Sequence, residues 1–233
     1  MEEPLSRAIA EVALLGEDGR GEIETRVSRG LANVNGENPE ELRATVRRLL
    51  EEESARLAEE IRGGASGLRV AHQRGHFFSA LLRELWIRAG GENSVSHLVM
   101  GAVGGLGREE MSPASDLDLV FLREESQREA AEEVVKKVLY ILWDLGCKVG
   151  HACRTMEETL ERSEAEPMIK TALLDARYLA GSKPLWEKFC AEHKRRSLER
   201  DVEKYLAWRL ENQESRHAKE GGTVFVQEPN LKT

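Results

Sequence analysis

Apolar residues recur at helical spacing twice in the first ninety positions. Leu42, Val46, Leu49, Leu50, Leu57 and Ile61 mark one face of a helix. Asn38-Pro39-Glu40-Glu41 supplies its start: a capping side chain, proline in the first turn and acids at the positive end of the dipole. Gly63-Gly64 stops it. A second helix is predicted over 70–88, with Phe77, Phe78, Leu81, Leu82, Leu85 and Trp86 inward and Gly90-Gly91 as terminator. The pattern then changes. Leu98 to Val103 and Leu119 to Leu122 are short apolar runs that read as strands, the first opened by His97. Helical spacing returns over 126–145, where Val134, Val135, Val138, Leu139, Ile141, Leu142 and Leu145 share a face before Gly146. Residues 147–153 read as a third strand.

From Thr155 the chain is predicted to be mostly helical. Thr155-Met156-Glu157-Glu158 resembles a capping box, and helices are expected over 167–180, 184–193 and 198–218. The final stretch, 221–233, looks like a strand cut short. Residues 1–37 are rich in Gly and Glu, with a small apolar patch at Ile9, Val12, Leu14 and Leu15, and read as a mobile leader. The expected organisation is a leader (1–37), N-terminal helices (38–92), a core (93–155) and a helical C-terminal part (156–233). Phe77, Trp86 and Trp143 lie on apolar faces and are assigned to the core.

The 233 residues are 40% apolar and 33% charged, the composition of a soluble, helix-rich globular protein. A net charge of −8 weighs against a general nucleic-acid binder. Cys147, Cys153 and Cys190 lack metal-site spacing and are odd in number, so reduced thiols and a cytoplasmic location are expected. Met1-Glu2-Glu3-Pro4 does not open a signal peptide, and no apolar run reaches the roughly 18–20 residues of a membrane span.

The candidate chemistry lies between the first two strands. Gly104-Gly105-Leu106-Gly107-Arg108 is followed, after a short step, by Ser115-Asp116-Leu117-Asp118. A glycine turn lets backbone amides approach phosphate oxygens, and Asp116 and Asp118, two apart on a strand, share a face. Two same-side carboxylates beside such a turn can hold divalent metal against a nucleoside triphosphate. No Gly-Lys-Ser/Thr follows, so this is not a Walker loop, and no Rossmann pattern is present. Arg108 is suited to a phosphate or to an acid such as Glu110, and Ser115 to a phosphate.

The block Gly104-Gly105-x-Gly107-Arg108 with Glu110, then Ser112-Pro113-x-Ser115-Asp116-x-Asp118, resembles the nucleotidyltransferase domain of the bacterial PII uridylyltransferase/uridylyl-removing enzymes. These belong to the DNA polymerase beta-like nucleotidyltransferases. The likeness continues in Leu142-Trp143-Asp144-Leu145-Gly146, Val149-Gly150-His151 with Arg154-Thr155, and Leu173 to Gly181. It returns in Arg216-His217 and Glu228-Pro229-Asn230-Leu231-Lys232. It therefore covers about residue 70 to the end. The resemblance implies an α+β fold, a small mixed sheet with flanking helices and a helical C-terminal part. It implies that Asp116 and Asp118 bind Mg2+ or Mn2+ and that Gly104, Gly105, Gly107, Arg108 and Ser115 hold the triphosphate of UTP. The implied reaction moves UMP onto a tyrosine of the PII nitrogen-regulatory signal protein and releases pyrophosphate, with neither nucleic acid nor membrane as partner.

The sequence departs from the pattern in two places. Many members carry a third carboxylate on the next strand, where this chain has Lys148, Gly150 and His151. Glu157, Glu158, Asp175 and Glu228 are the substitutes to consider, and His151 and Arg154 are further candidates for the site. The family enzymes also continue into a phosphohydrolase domain and paired glutamine-sensing domains, so a fragment with transfer but no removal activity is expected. Two alternatives stand beside this reading: an adenylyltransferase acting on another protein, and a nucleotide-binding regulatory module without catalysis.

Overall fold

The computed structural model describes residues 17–34, 36–94, 97–200 and 202–219. Among the described residues three helices come first: α1 (Glu17–Leu31), α2 (Pro39–Arg62) and α3 (Gly67–Arg88). The start of α2 is as the sequence indicates, with the Asn38 side chain accepting from the Glu41 amide and proline in the first turn. Strand β1 (Leu98–Ala102) leads into a single helical turn, Gly104–Gly107, and then to β2 (Leu117–Arg123). Helix α4 (Arg128–Asp144) carries the chain back across the sheet to β3 (Val149–Thr155). Helices α5 (Met156–Ala165) and α6 (Pro167–Leu174) follow, then β4 (Arg177–Gly181), α7 (Lys183–His193) and α8 (Val202–Lys219).

Among the described residues the four strands are ordered β3-β2-β1-β4. β1 runs antiparallel to both β2 and β4, whereas β2 and β3 are parallel, as a helical crossover requires. Period-2 alternation divides β2 between two cores. Leu117, Leu119 and Phe121 join the larger core under α1 to α4. Val120 and Leu122 join a smaller one with Leu160, Leu173, Trp186 and Phe189 of α5 to α7. Asp118 belongs to the second set by parity, so it lies on the face covered by α5 to α7. The fold is thus α+β, with a small mixed sheet and flanking helices.

Three expectations are corrected. Residues 17–31, within the stretch read as a mobile leader, form a helix whose Ile23, Val27 and Leu31 are buried in the main core. The stripe has one apolar residue per turn among Glu, Arg and Gly, too sparse to stand out in sequence. Residues 1–16 lie outside the described residues. Second, the helix expected over 167–180 ends at Leu174, and Arg177–Gly181 is an edge strand paired with β1. The core sheet therefore draws on residues beyond 155, because this pairing is made with residues about eighty positions earlier. Third, Trp143 is 42% exposed and packs edge-on against His151. The strand read over 221–233 falls outside the described residues. Among the described residues no helix is long and apolar enough to cross a membrane.

If α1 is part of the core, Leu31→Ala should cost about 2–5 kcal/mol, the usual range for truncating a fully buried leucine. Urea denaturation measures this. A loss below about 0.5 kcal/mol would return the segment to a loose leader.

Candidate active site

The chain leaves β1 at Ala102 and turns at once into Gly104–Gly107. The Gly107 and Arg108 amides close the turn on the carbonyls of Val103 and Gly104, at 3.1 Å each. Gly104 has a φ of 60°, a conformation that side-chain-bearing residues avoid. The Val103 amide bonds the Asp118 carbonyl at 3.0 Å, which fixes the turn beside the start of β2.

Asp118 is held between two glycines. A Cβ at Gly104 would lie 3.2 Å from its Oδ2, and one at Gly150 would lie 2.5 Å from its Oδ1. Gly150 is the residue opposite Asp118 in the parallel ladder. The neighbouring strand, where a third carboxylate is expected, thus has a glycine opposite Asp118, and the Asp118 carboxylate fills the space that a side chain there would need. Asp116 lies two residues before Asp118, immediately ahead of β2, and both are half-buried. Among the described residues no three His, Cys, Asp or Glu side chains gather into a metal-binding group. Two carboxylates, one of them closely flanked by glycines, fit a Mg2+ or Mn2+ ion that takes its remaining ligands from water and substrate phosphates. Magnesium is commonly bound in that way, not in an all-protein cage.

A half-buried ionic knot holds the turn from behind. Arg177 of β4 donates through Nη2 to the carbonyl of Leu106 at 2.9 Å and through Nε to that of Gly107 at 3.1 Å. The same Nη2 reaches Ser79 Oγ on α3 at 2.8 Å. Its Nη1 faces Glu109 Oε1 at 3.2 Å, an oxygen that also takes His76 Nδ1 at 3.3 Å, while Arg20 lies 3.5 Å from Oε2. Glu109 has a φ of 61°, a strained conformation for a glutamate. Burial pushes its carboxyl up, but the His76 hydrogen bond and the charges of Arg177, His76 and Arg20 outweigh burial and hold it at about 2. Arg177 is itself pushed below its ordinary value, mainly by burial and against the pull of Glu109. Met111, fully buried, donates its amide to Ala71 on α3 and closes the segment down.

The structure places the other sequence-derived candidates as follows. Arg108 ends the turn, with Nη1 on Asp175 at 2.5 Å and Nε on Glu110 at 3.1 Å. The Asp175 hydrogen bond raises its pKa. Gly105 and Gly107 pack directly against the backbone of Glu110 and Asp175. Ser115 borders a cavity of about 340 Å3 with Leu117, Arg74 and Phe78, on the face of the sheet under α1 to α4 and not the face of Asp118. His151 alternates with Gly150 and turns its ring to Trp143, so it is not brought to Asp118. Arg154 shares the face of Gly150 but lies four residues along the strand, roughly 13 Å away.

Of the acids considered as a third carboxylate, Glu157 pairs with Arg196 at 2.6 Å, and Glu158 accepts from the Thr155 amide at 2.7 Å in a capping box. Both lie at the far end of β3. Asp175 stands beside the turn but is committed to Arg108, and Glu228 is outside the described residues. Sequence reasoning missed Arg177, Ser79, His76 and Glu109 as supports of the turn. Glu109 lay between the quoted Arg108 and Glu110, and Arg177 within the quoted Leu173 to Gly181 stretch. Ser79 and His76 could be found only through α3 packing on the turn.

No protein-family model matches the chain. The chain is similar to proteins named bifunctional uridylyltransferase/uridylyl-removing enzyme. That of Azospirillum brasilense is 41% identical over 136 residues, 56% of this chain and 14% of the relative. That of Phenylobacterium zucineum is 34% identical over 181 residues, 75% of this chain and 19% of the relative. That of Bradyrhizobium sp. (strain ORS 278) is 36% identical over 140 residues, 60% and 15% respectively. The chain therefore spans under a fifth of the length of these relatives, and the resemblance read from its motifs holds over more than half of it.

The knot has a pH signature. Glu109 sits at about 2 in the folded protein against an ordinary 4.5, so its contribution is fully present above about pH 4.5 and is lost as pH falls towards 2. The contribution is at most about 3 kcal/mol. Unfolding free energies measured between pH 6 and pH 3 should fall less steeply in Glu109→Gln than in the unmodified chain. Identical slopes would show that the knot carries no net stability.

Proposed function

We propose that this chain is a metal-dependent nucleotidyltransferase module that moves UMP from UTP to a tyrosine of a PII-type signal protein. The observation that carries the proposal is the Asp118 carboxylate, flanked by Gly104 of the phosphate-sized turn and by Gly150 of the next strand. The names of its relatives support uridylyl as the group transferred.

In this reading Asp116 and Asp118 hold Mg2+ or Mn2+ with the triphosphate. When bound, the ion supplies positive charge that favours loss of the phenolic proton and departure of pyrophosphate. The Gly104–Gly107 turn orients the phosphates through backbone groups, since a side chain at Gly104 would crowd Asp118. The tyrosine oxygen forms a bond to the α-phosphorus as the bond from that phosphorus to the bridging oxygen breaks. Pyrophosphate leaves, and the phenolic proton passes to a carboxylate of the pair or to water. With an ordinary pKa of about 10, the phenol needs that assistance near neutral pH. Arg108 already faces Asp175 and Glu110, so it reaches a phosphate only by exchanging one carboxylate for another anion.

Pyrophosphate release from UTP with Mg2+ and purified PII protein tests the reading. Asp116→Asn/Asp118→Asn should lower the rate by about 1,000-fold or more. Release that is absent with PII while metal-dependent UTP binding persists would favour a regulatory module, and faster release with ATP would favour an adenylyltransferase. Gly150→Ala is a sharper probe, because its methyl would fall against Asp118 Oδ1 at an exposed position. We expect a loss of about 100-fold in rate with little change in Tm, since small displacements of reacting groups are costly. An unimpaired Gly150→Ala would mean that Asp118 is not where the chemistry occurs.

A further inference from the structure

A second concave site shares no lining residue with the acid face. It is a cavity of about 190 Å3 where the α5–α6 junction meets the start of α8. Three polar side chains that line it are almost wholly buried: Ser163 (0% exposed), Ser197 (2%) and Lys170 (9%). Ser163 Oγ donates to Ser197 Oγ at 3.2 Å and meets His193 Nε2 at 3.1 Å, so the two hydroxyls form one connected wall. Burial, and then the charge of Lys170, hold His193 below its ordinary value, which leaves that wall neutral near pH 7.

Lys170 poses the physical problem. Its ammonium has one long hydrogen bond, 3.5 Å to the Arg200 carbonyl, and lies 5.0 Å from the Tyr205 ring centre. Among the described residues no carboxylate lies within ion-pair distance of it. A buried charge is normally paired, because leaving water costs more than a single neutral contact returns. Arg200 and Lys204 line the same cavity, and among the described residues neither makes an ion pair. Arg196 does, with Glu157 and Glu164. Four cations and one carboxylate, Glu164, thus line one small hollow with two hydroxyl groups, and Glu164 is paired with Arg196, which leaves three cations without an ion pair among the described residues. The Trp208 ring, stacked at 6.2 Å on Tyr205, forms part of its rim. Such a set suits an oxyanion with several acceptor oxygens.

We propose that this cavity binds a phosphate or pyrophosphate group without metal, with Lys170 as its buried counter-charge and Arg200 and Lys204 as its outer donors. The group is either free or carried by a nucleotide whose base lies towards Trp208. The inference does not rest on the transferase reading, since it uses none of the acid-face residues.

The test is titration calorimetry on the full chain in EDTA, with inorganic phosphate, pyrophosphate, UMP and UTP as separate probes. Saturable one-to-one binding is expected for at least one of them. Lys170→Met should weaken it at least tenfold, whereas Asp116→Asn/Asp118→Asn should leave it unchanged. Tighter binding of UMP than of phosphate, with Trp208 fluorescence quenched, would assign the nucleotide form. Equal binding would assign the free ion. Should Lys170→Met fail to fold, Lys204→Ala at the exposed rim must still weaken binding severalfold. Absence of saturable binding by all four probes would overturn the proposal. So would binding lost in the aspartate double variant, or indifferent to both lysine substitutions.

Discussion

The candidate site depends on one guanidinium. Arg177 binds the carbonyls of Leu106 and Gly107, the two that end the glycine turn, and joins them to Ser79 on α3 and to Glu109. A helix of one turn has almost no internal hydrogen bonding, so its ends must be satisfied from outside. The planar fork of arginine meets that need in a way lysine cannot, because several donors act in fixed directions at once. The strained backbone of Glu109 is tolerated because its carboxylate completes the same knot with His76 and Arg20. The turn thereby acquires a defined position relative to β2, and with it the spacing between Gly104 and the Asp118 carboxylate.

The sheet divides structural from chemical work by parity alone. Leu117, Leu119 and Phe121 anchor β2 in the large core, and the alternate positions carry Asp118 followed by Val120 and Leu122. The same strand therefore fixes the carboxylate and joins the smaller core beyond it. Glycine at 150 completes this by leaving one side of Asp118 without a side chain. At that place an acid is expected in the wider superfamily. The lack of an acid there fits a site in which substrate phosphates supply the ligands that the protein does not.

What could be read in the sequence was local. The periodic stripes of α2, α3 and α4, the Asn38 cap and the Thr155 capping box all appear where the residues indicate. The turn and the two aspartates were legible because their meaning lies in adjacent residues. The features that sequence reading missed are set by distant partners. β4 exists because Tyr178 and its neighbours pair with β1, and α1 is buried because three sparse apolar residues meet α3. His151 shows the reverse failure. It sits beside the right glycine in sequence, but alternation turns it to Trp143 on the other face. Ser115 likewise borders the cavity under α1 to α4, three residues from Asp118 yet on the other face of the sheet.

The central claim is that Asp116, Asp118 and the glycine turn form one metal–nucleotide site. A crystal structure of the chain with Mn2+ and a non-hydrolysable UTP analogue tests it most directly, because the anomalous signal locates the metal independently of activity. The account expects a manganese peak within coordination distance of both aspartates, with the triphosphate lying along Gly104–Gly107. A peak bound elsewhere, or a triphosphate held away from the turn, would contradict it.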